Sequence, residues 1–218
     1  QALWANANAS SQRMLKAAAE QISGAVMGSQ TLSTVANAAG STIQPLFNNI
    51  NSGIGRQLLR AARIVEGRTQ LNVKRQIFFV SQGGYDTHGD QAQNHAARLA
   101  ELGTALRAFY DATVQLGVAD SVTTFTFSDF GRTFKPNNTG TDHAWGNHHL
   151  VMGGAVKGAQ TYGTYPTLAL GGPDDTDSEG RWIPTTSIDQ YGATLAAWLG
   201  VPAAQLSTVF PNLSKFAT

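Results

Sequence analysis

Two short runs of polar residues carry most of the chemistry this chain can do: Asp86-Thr87-His88, reached through Gly83-Gly84-Tyr85, and Asp142-His143, followed by His148-His149. A third acid, Asp129, stands in Ser128-Asp129-Phe130-Gly131-Arg132. All 5 histidines fall between His88 and His149. Neutral imidazole and carboxylate together form the usual donor set for divalent metals such as zinc, manganese or iron. The chain has no cysteine, which removes disulfides, thiolate catalysis and zinc-thiolate sites at once. The functional reading is therefore a metal site drawn from Asp86, His88, Asp129, Asp142, His143 and His148. The plainer reading is that acids after strands cap helices, that His95 rides a solvated helix face, and that paired loop histidines only hydrogen-bond.

Several elements are expected to position these groups. Ile54, Leu58, Ala61, Ala62 and Val65 recur at helical spacing up to Gly67. Leu99, Leu102, Leu106, Phe109 and Thr113 mark a longer helix over about 91–116, stopped by Gly117. Ser187 and Gln190 form a capping-box pattern that starts a helix ended by Gly200 and Pro202. The apolar runs Gln76–Val80 and Val122–Phe127 read as strands, the first buried on both faces, and Thr167–Leu170 as a third candidate. Strand, helix, strand predicts a βαβ unit in an α/β fold: a mostly parallel sheet flanked by helices. Asp86, His88 and Asp129 would then share the carboxyl edge of that sheet, where ligands bind in such folds. Residues 131–164 read as a long loop. Residues 1–53 read as a helical or irregular lead-in, and 54–218 as the α/β domain.

Composition narrows the partners. Charged residues make up 13% of the chain and the net charge is +1, with no dense basic run, so nucleic acid and anionic membranes have no electrostatic footprint here. No stretch approaches the roughly 20 apolar residues of a membrane-spanning helix. Asp129-Phe130-Gly131 matches a kinase magnesium motif without the rest of a kinase, and Gly153 to Gly158 lacks the order of a phosphate loop. No Gly-x-Ser-x-Gly elbow offers a nucleophile. The acidic run Asp174 to Glu179 reads as a solvated loop, with calcium as its alternative use.

The runs Phe78 to His88, Ser128 to Thr133, Gly140 to His143 and Gly153 to Gly158, in that order and spacing, resemble the bacterial family filed as domain of unknown function 1501. The resemblance implies an exported protein, carried through the twin-arginine route to the periplasm or beyond, and distantly similar to alkaline phosphatases and sulfatases. It also implies the C-terminal portion of such a fold, completed by an upstream segment of the same precursor. Carried over by position, Asp86 and His88 look like ligands of one metal, Asp129 of a second, and His143 like the late histidine. Arg132 or Lys157 would face an anionic group. Phe130 stands where that superfamily has a histidine, and no strand-end nucleophile precedes Arg75.

Two functions follow as expectations. One is a metal-dependent hydrolase of phosphate or sulfate esters, using zinc, manganese, magnesium or calcium. The other is a non-catalytic envelope or extracellular module that keeps a degenerate metal site.

Overall fold

The computed structural model describes residues 13–216. Six α-helices are formed among them: α1 (Arg13–Ala36), α2 (Gly53–Glu66), α3 (Arg68–Leu71), α4 (Gln91–Gln115), α5 (Ile188–Leu199) and α6 (Ala203–Val209). Four strands accompany them: β1 (Thr123–Phe125), β2 (Gly131–Asn137), β3 (Gly140–Ala144) and β4 (Val151–Gly153). The chain divides into two compact units, one built from 13–82 and 101–117 and the other from 83–100 and 118–216.

The first unit is helical. Ser52 caps α2 by accepting from the Gly55 N–H, and the face predicted from Ile54, Leu58, Ala61, Ala62 and Val65 is buried. Ile43, fully buried, and Phe47 join that core, with Ala105, Ala108, Phe109 and Ala112 from the second half of α4. α1 packs on α2 closely enough that a Cβ on Gly67 would lie 2.2 Å from Val35 Cγ1. Arg63 ties the two elements by donating to the Ala36 carbonyl at 2.9 Å. The first twelve residues of the expected lead-in lie outside the described residues.

The second unit holds both sheets, and here the expected architecture is overturned. The described residues contain two small antiparallel pairs, β1 with β4 and β2 with β3, and no parallel sheet. Of the apolar run Val122–Phe127, three residues form β1, paired to a strand 26 residues or more downstream and not to Gln76–Val80. Gln76–Val80 forms neither helix nor turn and has no strand partner among the described residues, and Phe79 is 91% exposed. Thr167–Leu170 likewise forms no strand, and Leu170 lies in a turn closed by the Gly172 N–H donating to the Ala169 carbonyl at 2.8 Å. An apolar run fixes an extended backbone but not its neighbour, so the expected βαβ unit had no non-local support.

The span read as a long loop instead contains a hairpin. Asn138 sits in the left-handed region (φ 54°) at its tip, and Gly131 pairs with Ala144, Arg132 with His143 and Asn137 with Gly140. A bulge between Arg132 and Pro136 absorbs the register shift. The acidic run packs along β2: Phe134 and Lys135 N–H groups donate to the Gly180 and Glu179 carbonyls. Asp175 organises that loop by accepting from the N–H groups of Gly171, Asp177, Gly180 and Arg181. Desolvation pushes its carboxyl up, but the four backbone bonds together bring it below the usual range. No helix among the described residues is long and apolar enough to cross a membrane.

Candidate metal centre

The loop 83–90 and the β2–β3 hairpin build one cluster inside the second unit. Gly84 takes a left-handed backbone (φ 92°) that lets the chain turn beside Arg98. The loop is then pinned to the hairpin. Asp90 and Gln91 N–H groups donate to Thr139 Oγ1 and to its carbonyl, and the Thr141 N–H donates to the Thr87 carbonyl. Gly140 permits this approach, because a Cβ there would lie 2.3 Å from the His88 carbonyl carbon.

Three side chains converge as a result. His143 Nε2 lies 2.7 Å and His88 Nε2 2.9 Å from the same oxygen, Asp86 Oδ1. One donor atom from each of Asp86, His88 and His143 lies within 4.8 Å of the other two, and all three side chains are at least half exposed. Hydrogen bonding from His143, reinforced by the charges of His88 and His143 and by Arg132, holds the Asp86 carboxyl below its ordinary range against a smaller desolvation effect.

The cluster has ordered backing. The Phe130 ring stacks on His143 at 4.1 Å and 10°. Asp142 Oδ1 lies 3.6 Å from His88 Nδ1, the ring nitrogen turned away from Asp86, where carboxylates that orient metal-ligating imidazoles sit. Asn137 Nδ2 donates to Asp142 Oδ1 at 3.3 Å. Arg132, cross-strand from His143, donates from Nη1 to Asp86 at 3.2 Å, from Nε to Thr141 Oγ1 at 2.8 Å and from Nη2 to the Thr87 carbonyl at 2.6 Å. It also donates to the Thr141 carbonyl. The Thr141 hydroxyl in turn donates to Gln91 Oε1 at 2.6 Å.

This donor set fits a divalent ion. In a tetrahedral site with metal–nitrogen and metal–oxygen distances of roughly 2.0–2.2 Å, ligand atoms sit about 3.3 Å apart, so each imidazole nitrogen needs to part from Asp86 Oδ1 by only about half an ångström. Two imidazoles and one carboxylate leave at least one coordination position open.

The family profile described as protein of unknown function (DUF1501) matches residues 3–177. The chain belongs to the DUF1501 family. No curated protein and no solved structure matches it. Within this DUF1501 chain the cluster gathers Asp86, His88 and His143, with Asp142 and Arg132 against it. The other residues singled out from the sequence lie elsewhere. Asp129 is exposed and makes no side-chain hydrogen bond or ion pair among the described residues, although the next ring, Phe130, touches His143. His148 stacks on Tyr165 at 5.0 Å. His149 lies between Phe127 and Tyr191, and desolvation there, with His148 nearby, lowers its pKa. His95 meets the Tyr85 ring edge-on. Lys157 is exposed in the turn after β4, where its carbonyl accepts from Tyr162 Oη at 2.7 Å.

Gly140 and Thr141 stood in the sequence only as part of a family motif and Gln91 only as a helix residue, without the role the three share in holding the loop on the hairpin. The run Asn137-Asn138-Thr139-Gly140 between polar-apolar alternations was the available turn signal.

Proposed function

We propose that this DUF1501 chain binds one divalent metal at Asp86, His88 and His143 and uses it to hydrolyse phosphate or sulfate esters outside the cytoplasm. The observation that carries the reading is the convergence of two imidazole nitrogens on one carboxylate oxygen in an exposed, backed cluster. When bound, the metal supplies Lewis-acid stabilisation of charge developing on the ester oxygens. The residues of the chain bind and orient it. Asp86 brings the negative charge, His88 and His143 bring neutral donors, Phe130 fixes the His143 ring plane, and Arg132 holds Asp86 and the Thr87 backbone in place. Two imidazoles with one carboxylate favour zinc or manganese over magnesium or calcium, which prefer oxygen donors. Kinship with the alkaline phosphatases and sulfatases and export by the twin-arginine route rest on the sequence motifs. So does a companion segment upstream in the same precursor.

A second reading, a non-catalytic module with the same metal, is favoured by the hydroxyls nearby. Thr87 is buried beneath the loop, and Ser128 donates to the Phe130 carbonyl at 2.9 Å, so neither is presented as a nucleophile. Elemental analysis of purified wild type, Asp86→Ala and His143→Ala tests the metal. About one equivalent in wild type and loss in both variants is expected, and equal, negligible content in all three would refute it. Hydrolysis of a panel of phosphate and sulfate esters by the metal-loaded protein then separates the two readings, since turnover abolished by His143→Ala belongs only to the enzyme.

A further inference from the structure

The segment Gln76–Val80 is an open strand edge. Its residues form no helix, turn or bend, and among the described residues their backbone N–H and C=O groups make no hydrogen bonds. Ile77 is 78% and Phe79 91% exposed, and alternation places both on one face. The following residue pins the run: the Gln57 amide donates to the Ser81 carbonyl at 2.8 Å and accepts from the Ser81 N–H at 2.9 Å, as a neighbouring strand would. In an extended chain, successive residues direct their polar groups to opposite edges. Ser81, Phe79 and Ile77 therefore address the edge occupied by Gln57, while Gln76, Phe78 and Val80 address the other, open edge.

We propose that a second copy of this chain pairs with that open edge, antiparallel, across a two-fold axis at Phe78. The sequence is self-complementary in this register. Gln76 faces Val80 of the other copy and Phe78 faces its counterpart as hydrogen-bonded pairs, giving about six inter-chain bonds. Ile77 falls beside the other copy's Phe79, so the four exposed side chains cover one another on one face, an apolar and aromatic cross-strand combination that stabilises sheets. Charge selects the antiparallel sense. Lys74 and Arg75 precede the run, and Gln82, which donates to Glu101 at 3.1 Å, follows it. Antiparallel pairing sets Lys74 opposite the other copy's Gln82 and near its Glu101, whereas parallel pairing would stack the two basic pairs on each other. The inference is independent of the metal centre, since every residue in it belongs to the first unit.

The test uses the absence of native cysteine, which makes any cross-link unambiguous. Opposed residues in a hydrogen-bonded antiparallel pair have Cα atoms about 5.5 Å apart, within disulfide reach. Phe78→Cys is expected to give a covalent dimer under mild oxidation, while Gln76→Cys and Val80→Cys cross-link when mixed and little when alone. Light scattering on the wild type is expected to report a dimer that dissociates with dilution, and Phe79→Lys, at a position too exposed to matter for folding, a monomer. A wild type that stays monomeric at every concentration would overturn the proposal. So would open-ended oligomers, or a dimer that Phe79→Lys leaves intact. Efficient cross-linking of Gln76→Cys alone would overturn the register.

Discussion

Gly140→Ala is the sharpest perturbation of the metal centre, because it adds one methyl group and touches no ligand. The added Cβ would lie 2.3 Å from the His88 carbonyl carbon, 2.5 Å from the Thr87 oxygen and 2.6 Å from His88 Cα, against an ordinary contact distance of 3.4 Å or more. All three are backbone atoms, so no side chain can swing aside, and residues 87–88 must retreat by about 1 Å. Overpacking of this kind costs about 1–3 kcal/mol, and the low end applies because the displaced loop faces solvent on one side. The larger effect falls on binding. A ligand moved by about 1 Å leaves the position that Asp86 and His143 define, and zinc affinity should drop about 10- to 100-fold, as when a supporting partner of a metal ligand is lost. Zinc titration by competition with a chromogenic chelator measures the affinity, and thermal unfolding followed by circular dichroism measures the fold. Gly83→Ala is the control, since its Cβ would meet nothing within 4 Å and its backbone is not left-handed. If Gly140→Ala binds zinc as wild type does and melts at the same temperature, the loop does not rest on the hairpin and the cluster is not preorganised.

Two further outcomes follow from charged groups held by hydrogen bonds. Arg132→Lys keeps the charge but loses the planar fork that reaches Asp86, Thr87 and Thr141 together, so zinc affinity should fall about tenfold in the same titration. Glu66 accepts from Ser41 Oγ, the Thr42 N–H and Thr42 Oγ1 at 2.7–2.8 Å; burial alone would raise its pKa, but these bonds and Arg63 bring it below 4.5. Its folded pKa is thus depressed, so its contribution is complete above the ordinary carboxylate value and lost as pH falls through the folded one. Glu66→Ala should cost about 1–3 kcal/mol in urea unfolding at neutral pH and less at acid pH; an equal loss at both would refute the assignment.

The helices were legible because their signals are local. The Ser187 capping box is present with both of its hydrogen bonds, Gly200 ends α5 in the left-handed region, and the face from Ile54 to Val65 is the buried face of α2. The sheet was not legible, because a strand's partner is decided by residues far away in the chain. Val122–Phe127 has the composition of a central strand, yet β1 pairs with Val151–Gly153, a run with no strong periodicity of its own. The β2–β3 hairpin was hidden by Pro136 and by the bulge, which breaks the alternation of buried and exposed residues after Thr133.

The same contrast explains the candidate site. Asp86 and His88 are two residues apart and stay together in any fold that keeps their loop, so the sequence could couple them. Asp129 was joined to them through the family resemblance and a shared sheet edge, and that sheet is not formed among the described residues. His143 arrives by a different route, the pairing of β3 with β2, which sets it opposite Arg132. That pairing also bears on what can meet an anion there. A guanidinium has five N–H groups, and Arg132 already donates to Asp86, the Thr87 carbonyl, and both the hydroxyl and the carbonyl of Thr141, with its side chain only 15% exposed. An ester bound at this centre must therefore find most of its positive charge in the ion itself, and Arg132 acts mainly by keeping Asp86 aimed at the two imidazoles.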